Sequence, residues 1–173
     1  IINNQIKQIE KLVNEFSDFA RMPKPVFQKN NLVELMKDNI KLLKELDKTI
    51  EIEFKNNVQQ IFFNCDREQL SRVFLNLIKN SIESIQQKAE KNTNFIKNIS
   101  IELNDLDDHI SLIINDNGIG FDSLSNNIKE ILNPYFTTKK KGTGLGLSIV
   151  NKIINDHNGS IEFISKDEGA IIK

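Results

Sequence analysis

The chain has 173 residues, 39% hydrophobic and 27% charged, which suits one ordinary soluble domain plus an appendage. A formal net charge of −1 argues against nucleic acid as a partner, because domains that bind it usually carry clustered basic charge. No apolar run approaches the roughly 20 residues needed to cross a bilayer, and the single cysteine, Cys65, excludes an internal disulfide.

Ile2, Ile6, Ile9, Val13, Phe16 and Ala20 are spaced 4, 3, 4, 3 and 4 apart. That is an a/d seam, and it predicts a helix that packs on another helix. The pattern is not that of a signal peptide. Without an initial Met, the chain is expected to be part of a longer protein. Pro23 and Pro25 in "RMPKP" lack backbone donors and disfavour helix before them. They predict a linker at 23–25 between a helical segment, 1–22, and a globular part, 26–173. Beyond it, "VFQKN" reads as a short strand and "NLVELMKDNIKLLKEL" as a helix, with Leu32, Leu35, Met36, Ile40, Leu43 and Leu46 at helical spacing.

"TIEIEF" and "QQIFFNC" read as strands. Cys65 ends the second as a buried structural thiol, in keeping with a reducing, cytoplasmic setting. Asp66 followed by Gln69 forms a capping-box pattern that opens a long helix, Arg67 to about Lys88. The polar "KAEKNTNFIKN" predicts a loop, and "ISIELNDL" and "HISLIIND" predict two strands joined by a turn near 105–108. A further helix runs from about Gly144 to His157 and stops at Gly159. "SIEFIS" and "GAIIK" read as a closing hairpin, whose last strand is expected to be cut short. Together these predict a two-layer α/β sandwich, one mixed sheet covered on one face by helices.

Three places are candidates for chemistry. On the long helix, Asn76, Asn80 and Glu83 are four and three apart and share one face. Asparagine is a poor helix former. The face is either simply solvated or a set of oxygen ligands for Mg²⁺, a hard cation that takes few protein oxygens and keeps waters. Next, Asp116 ends an apolar strand and precedes Gly118 and Gly120. It is either part of an ordinary turn or an acceptor for an exocyclic amine such as that of adenine. Last, Lys139, Lys140 and Lys141 precede Gly142, Gly144 and Gly146 at the start of a helix. Lysine runs are commonly just solvated, but a helix N-terminus offers free N–H groups that favour phosphate. The glycine spacing is neither the dinucleotide fingerprint nor the P-loop.

The order of the three elements resembles the catalytic, ATP-binding domain of two-component sensor histidine kinases, in the GHKL superfamily that also holds gyrase, Hsp90 and MutL. The match runs from Pro25 to the end, and "FSDFARMPKP" resembles the end of the second dimerisation helix in nitrogen-regulation kinases of the NtrY type. The resemblance implies a Bergerat fold, with Mg²⁺ on Asn80, more weakly on Glu83, and adenine on Asp116 beside Gly118 and Gly120. It implies a lid starting at Pro134 to Lys139, with Phe136, Thr137, Thr138 and Lys139 near ATP. Gly142, Thr143, Gly144, Leu145, Gly146 and Leu147 would lie beside the phosphates. In ATPase relatives, the position of Asn76 resembles a water-activating glutamate. An amide is no general base at neutral pH, which favours phosphoryl transfer over hydrolysis, with Asn76, Asn80 and Lys139 as the catalytic set.

The acceptor histidine of this family lies on a helix expected to precede the chain. His109 and His157 match no phospho-acceptor pattern, and His157 suits a helix C-terminus. The implied partners are a response-regulator receiver domain and a second copy through the dimerisation helices, with any membrane anchor in other parts of the protein. Rival readings are a nucleotide-sensing module without phosphotransfer, a gyrase-like conformational ATPase, and an interaction domain with coincidental glycine turns.

Overall fold

The computed structural model describes residues 6, 9, 10, 13, 14, 16, 17, 20–45, 47–92, 94–121, 128–137, 139, 142–166 and 168–173, with backbone alone at 128 and 129. Among the described residues beyond Pro25, two sheets and three α-helices are formed. Strand β1 (Gln28–Asn31) pairs antiparallel with β3 (Phe62–Cys65) as a small ribbon. The main sheet comprises β2 (Glu51–Asn56), β4 (Asn98–Asp105), β5 (Ile110–Asp116), β6 (Phe163–Ser165) and β7 (Ala170–Ile172), in the order β2-β4-β5-β7-β6. Only β2 and β4 run parallel. A parallel pair needs a long crossover, and helix α2 (Arg67–Lys91) lies within it. Helices α1 (Leu32–Lys44) and α3 (Gly146–Asp156) flank α2. Helices cover one face of the mixed sheet, as the alternation of the strands predicts.

That alternation is cleanest in β4, where Ile99, Ile101 and Leu103 are buried and the residues between them are not. Opposite them, α2 buries Leu70, Val73, Phe74, Leu77, Ile78, Ile82 and Ile85. This stripe fixes the rotation of α2 and keeps Asn76, Asn80 and Glu83 out of the core. Cys65 is fully buried, and burial pushes its thiol pKa up.

Some boundaries differ from expectation. The first strand starts at Gln28, because Val26 gives its N–H to Asp66 Oδ2 (2.8 Å). Only half of the capping box forms. Asp66 Oδ1 accepts from Gln69 N (3.0 Å), but the Gln69 amide donates to Pro23 O (3.0 Å). The Asp66 N–H goes instead to His157 Nε2 (3.0 Å). Helix α2 continues to Lys91, and α3 starts at Gly146, because Gly144 takes φ +70°. A 3-10 turn, Ile128–Leu132, was not expected, and it puts Ile131 into the core. In the leading segment, residues 6, 9, 10, 13, 14, 16, 17 and 20 are helical. Its seam residues Ile6, Ile9, Val13 and Phe16 are exposed, and the Phe16 ring stacks on Tyr135 (6.4 Å).

Candidate functional site

The sheet brings Asp116, at the end of β5, beneath α2 at the level of Asn80 to Ser84. The chain then passes through the 3-10 turn and returns to open α3 beside Asn76. The position of a Gly146 Cβ would lie 3.6 Å from Asn76 Oδ1. One groove is therefore lined by Asn76, Asn80, Glu83, Asp116, Lys139 and the glycines 142, 144 and 146. Residues far apart in sequence meet there because α2 crosses over the strand that carries Asp116.

Asp116 is 4% exposed. Its Oδ1 accepts from Gly118 N (3.0 Å) and its Oδ2 from Ser81 Oγ (3.0 Å). Burial raises its pKa and outweighs these hydrogen bonds and Lys166, which act the other way. A buried carboxylate with no cation in contact is expensive to hold. Such a group in a groove is a candidate for function. Ser81 and Ser84 went unremarked in the sequence, yet Ser84 Oγ accepts from Ile119 N (3.0 Å). Their only sequence signal is three-residue spacing on the same helix as Asn80.

Gly118 is needed for close approach. A Cβ there would lie 2.2 Å from Ser84 Oγ and 2.7 Å from Ser84 C, so only glycine lets the strand end sit against α2. Gly144 has a positive φ, and a Cβ there would lie 2.4 Å from Tyr135 C. Tyr135 N donates to Gly144 O (3.0 Å), which ties the two ends of the loop together. Immediately after, α3 begins with Leu145 at its N-cap, which has no polar side chain to cap the N–H groups of the first turn. An anion is the natural partner for such N–H groups.

Lys139 reaches across the groove. Its Nζ lies 2.9 Å from Asn80 Oδ1 and forms an ion pair with Glu83 Oε2. An amide oxygen and a carboxylate thus grip one cation. They are hard oxygen donors, and the set fits a hard divalent ion that brings its own waters. Among the described residues, no cluster of three His, Cys, Asp or Glu offers a protein-only metal cage.

Of the other expected residues, Thr137 Oγ1 accepts from Lys139 N (3.1 Å) and Gly142 packs against it. Thr143 Oγ1 faces Leu145 N (3.5 Å). Leu147 lines the groove, and Phe136 lines it while packing against the core. Leu145 departs from expectation and does not line the groove: the whole residue is buried in the core. Thr138, Lys140 and Lys141 lie outside the described residues. The histidines are elsewhere. His109 pairs with Asp108 on the surface, and His157 is buried against Ile153 O (2.8 Å).

Residues 65–173 match the sequence profile of the histidine kinase-, DNA gyrase B- and HSP90-like ATPases. An NtrY-like protein of Rickettsia conorii, described by name as a sensor histidine kinase, is 38% identical over 99% of the chain. The nitrogen regulation protein NtrY of Azorhizobium caulinodans is 35% identical over 97%. The chain spans 28% and 21% of the lengths of these two relatives. The nucleotide-free catalytic domain of histidine kinase ThkA superposes with a TM-score of 0.71 at 28% identity, covering 85% of this chain and 92% of that one. ThkA in complex with the response regulator TrrA superposes at 0.77 and 25% identity, covering 99% and 48%. No helix among the described residues is long and apolar enough to cross a membrane. The relatives that match along its length include proteins named as sensor histidine kinases, and the chain belongs to the histidine kinase-, DNA gyrase B- and HSP90-like ATPase family.

Proposed function

We propose that this chain is the Mg²⁺–ATP module of a protein-histidine kinase, with residues 1–22 the end of a dimerisation hairpin, 23–25 a linker and 26–173 the catalytic domain. The observation that carries the reading is the meeting, in one groove, of a buried carboxylate, an oxygen pair that grips a cation, and an uncapped helix start. Asp116 receives the amine edge of adenine. Asn80, helped by Glu83, holds Mg²⁺, which when bound neutralises phosphate charge. Lys139 and the backbone from Gly142 to Leu147 face the phosphates, with Phe136 and Thr137 bordering them; Thr138, assigned the same role, lies outside the described residues. Asn76 cannot take a proton from water at neutral pH, so the site favours transfer to a side chain. Catalysis then rests on positioning and charge.

The acceptor is a histidine on a helix outside these 173 residues, and the phosphate passes on to an aspartate of a response regulator. That partner is supported by the complex of ThkA with TrrA. The exposed seam of Ile6, Ile9, Val13 and Phe16 pairs with hairpin and partner helices in a homodimer. The domain works in the cytoplasm, and any membrane anchor lies in other parts of the protein.

The test is labelling with γ-³²P-ATP, on the chain alone and on the chain fused behind the histidine-bearing helix of the Azorhizobium relative. Acid-labile phosphate is expected only in the fusion. Label on His109 or His157, or a fusion that binds ATP and gains no label, contradicts the proposal.

A further inference from the structure

We propose, on the nucleotide reading above, that Lys139 is a tethered competitor of the divalent cation, which leaves Asn80 and Glu83 when metal and nucleotide bind. Lys139 Nζ is held by Asn80 Oδ1 (2.9 Å) and the Glu83 carboxylate, in a half-buried contact. Mg²⁺ takes oxygen ligands at roughly 2.0–2.1 Å. It cannot share these two oxygens with an ammonium that already touches both, for reasons of space and of like charge. One cation must leave.

The fold decides which. Asn80 and Glu83 stand three apart on α2, whose apolar stripe is locked into the core. The helix holds their Cα atoms in place, and both side chains are shorter than that of lysine. Lys139 lies at the end of a flexible four-carbon stem on a loop. The ammonium is therefore the mobile partner. Once free, it gains from an anion, and the uncapped start of α3 is where phosphate oxygens would collect.

Metal alone must break the ion pair, so it binds weakly. Nucleotide gives the displaced ammonium a new partner, so metal and nucleotide bind cooperatively, and the coupling is reciprocal. Lys139 thus keeps the metal site closed to free divalent ions while leaving it open to a metal-nucleotide complex.

The experiment measures Mn²⁺ binding to the chain, without nucleotide, by the loss of the free-ion spin-resonance signal. Lys139→Met should tighten Mn²⁺ by roughly two- to fivefold, the upper part of the range for a half-exposed ion pair. Lys79→Met removes an exposed charge next to Asn80 and should change the affinity less than about twofold at moderate salt. In an Asn80→Ala background, Lys139→Met should give no gain. Lys139→Gln replaces Lys139→Met if thermal unfolding shows that variant to be misfolded. Unchanged or weaker Mn²⁺ binding in the lysine variant, an equal gain from Lys79→Met, or a gain that survives Asn80→Ala overturns the proposal. ADP titration by calorimetry separates the two levels. If ADP does not bind, the nucleotide reading fails; if ADP binds while Mn²⁺ affinity is unmoved by Lys139→Met, only the competitor role fails.

Discussion

Asp116 sits at 4% exposure and accepts from Ser81 Oγ and Gly118 N, with no cation in contact among the described residues. Its folded pKa is raised above 3.8, chiefly by burial. Between the two values the folded chain binds the extra proton, so this group's contribution to stability falls as pH rises through the raised pKa. At neutral pH the carboxylate is therefore a cost to the fold. Asp116→Asn keeps the shape, can still accept from Gly118 N and can donate to Ser81 Oγ. We expect the variant to unfold at the same or a higher temperature than the parent at pH 7, and to lose its preference for ATP over GTP. The stability advantage should vanish as pH falls towards 3.8. A less stable variant, or one that keeps adenine preference, contradicts this assignment. The strand ending in Asp-x-Gly-x-Gly was legible in the sequence, because periodicity and glycine spacing are local. That Gly118 serves first to admit α2 was not, since the clash with Ser84 is a tertiary fact.

Among the elements, α2 carries both the core and the site. Its apolar stripe was readable from spacing, and with it the solvent-facing set Asn76, Asn80 and Glu83. The contact of Lys139 with Asn80 spans 59 residues, and no pattern in either segment announces it. The start of α2 is similar. Asp66 was readable as a cap, but its N–H bonds His157, 91 residues away, and its other oxygen accepts from Val26 N (2.8 Å). Asp66→Ala should cost about 1–2 kcal/mol, the usual cost of a lost N-cap. It should also speed hydrogen exchange at the Val26 amide, which Asp66 Oδ2 protects. A variant that loses stability while Val26 stays protected would mean that the Val26 amide is held by something other than this cap. Backbone hydrogen bonds and burial at Asp66 oppose each other, and the hydrogen bonds win, lowering its pKa. Its contribution is present above pH 3.8 and fades as pH falls through the lower folded value.

At the scale of the molecule, the order of elements and the mixed sheet were legible because strands and helices alternate with clear periods. The 3-10 turn at Ile128–Leu132 was not, since a five-residue turn has too few positions to show one. Nor was the burial of Leu145, which its place in a glycine-rich loop concealed. We propose the groove between α2, the end of β5 and the start of α3 as an adenine-nucleotide site that uses a divalent ion. The most direct measurement is thermal unfolding of the chain with ATP, ADP and GTP, each with and without Mg²⁺. A ligand at 100 times its dissociation constant adds roughly 2.7 kcal/mol to the folded state. The account predicts stabilisation by ATP and ADP but not GTP, with the ATP effect changed by Mg²⁺. Equal stabilisation by ATP and GTP, or none by any nucleotide, would contradict it.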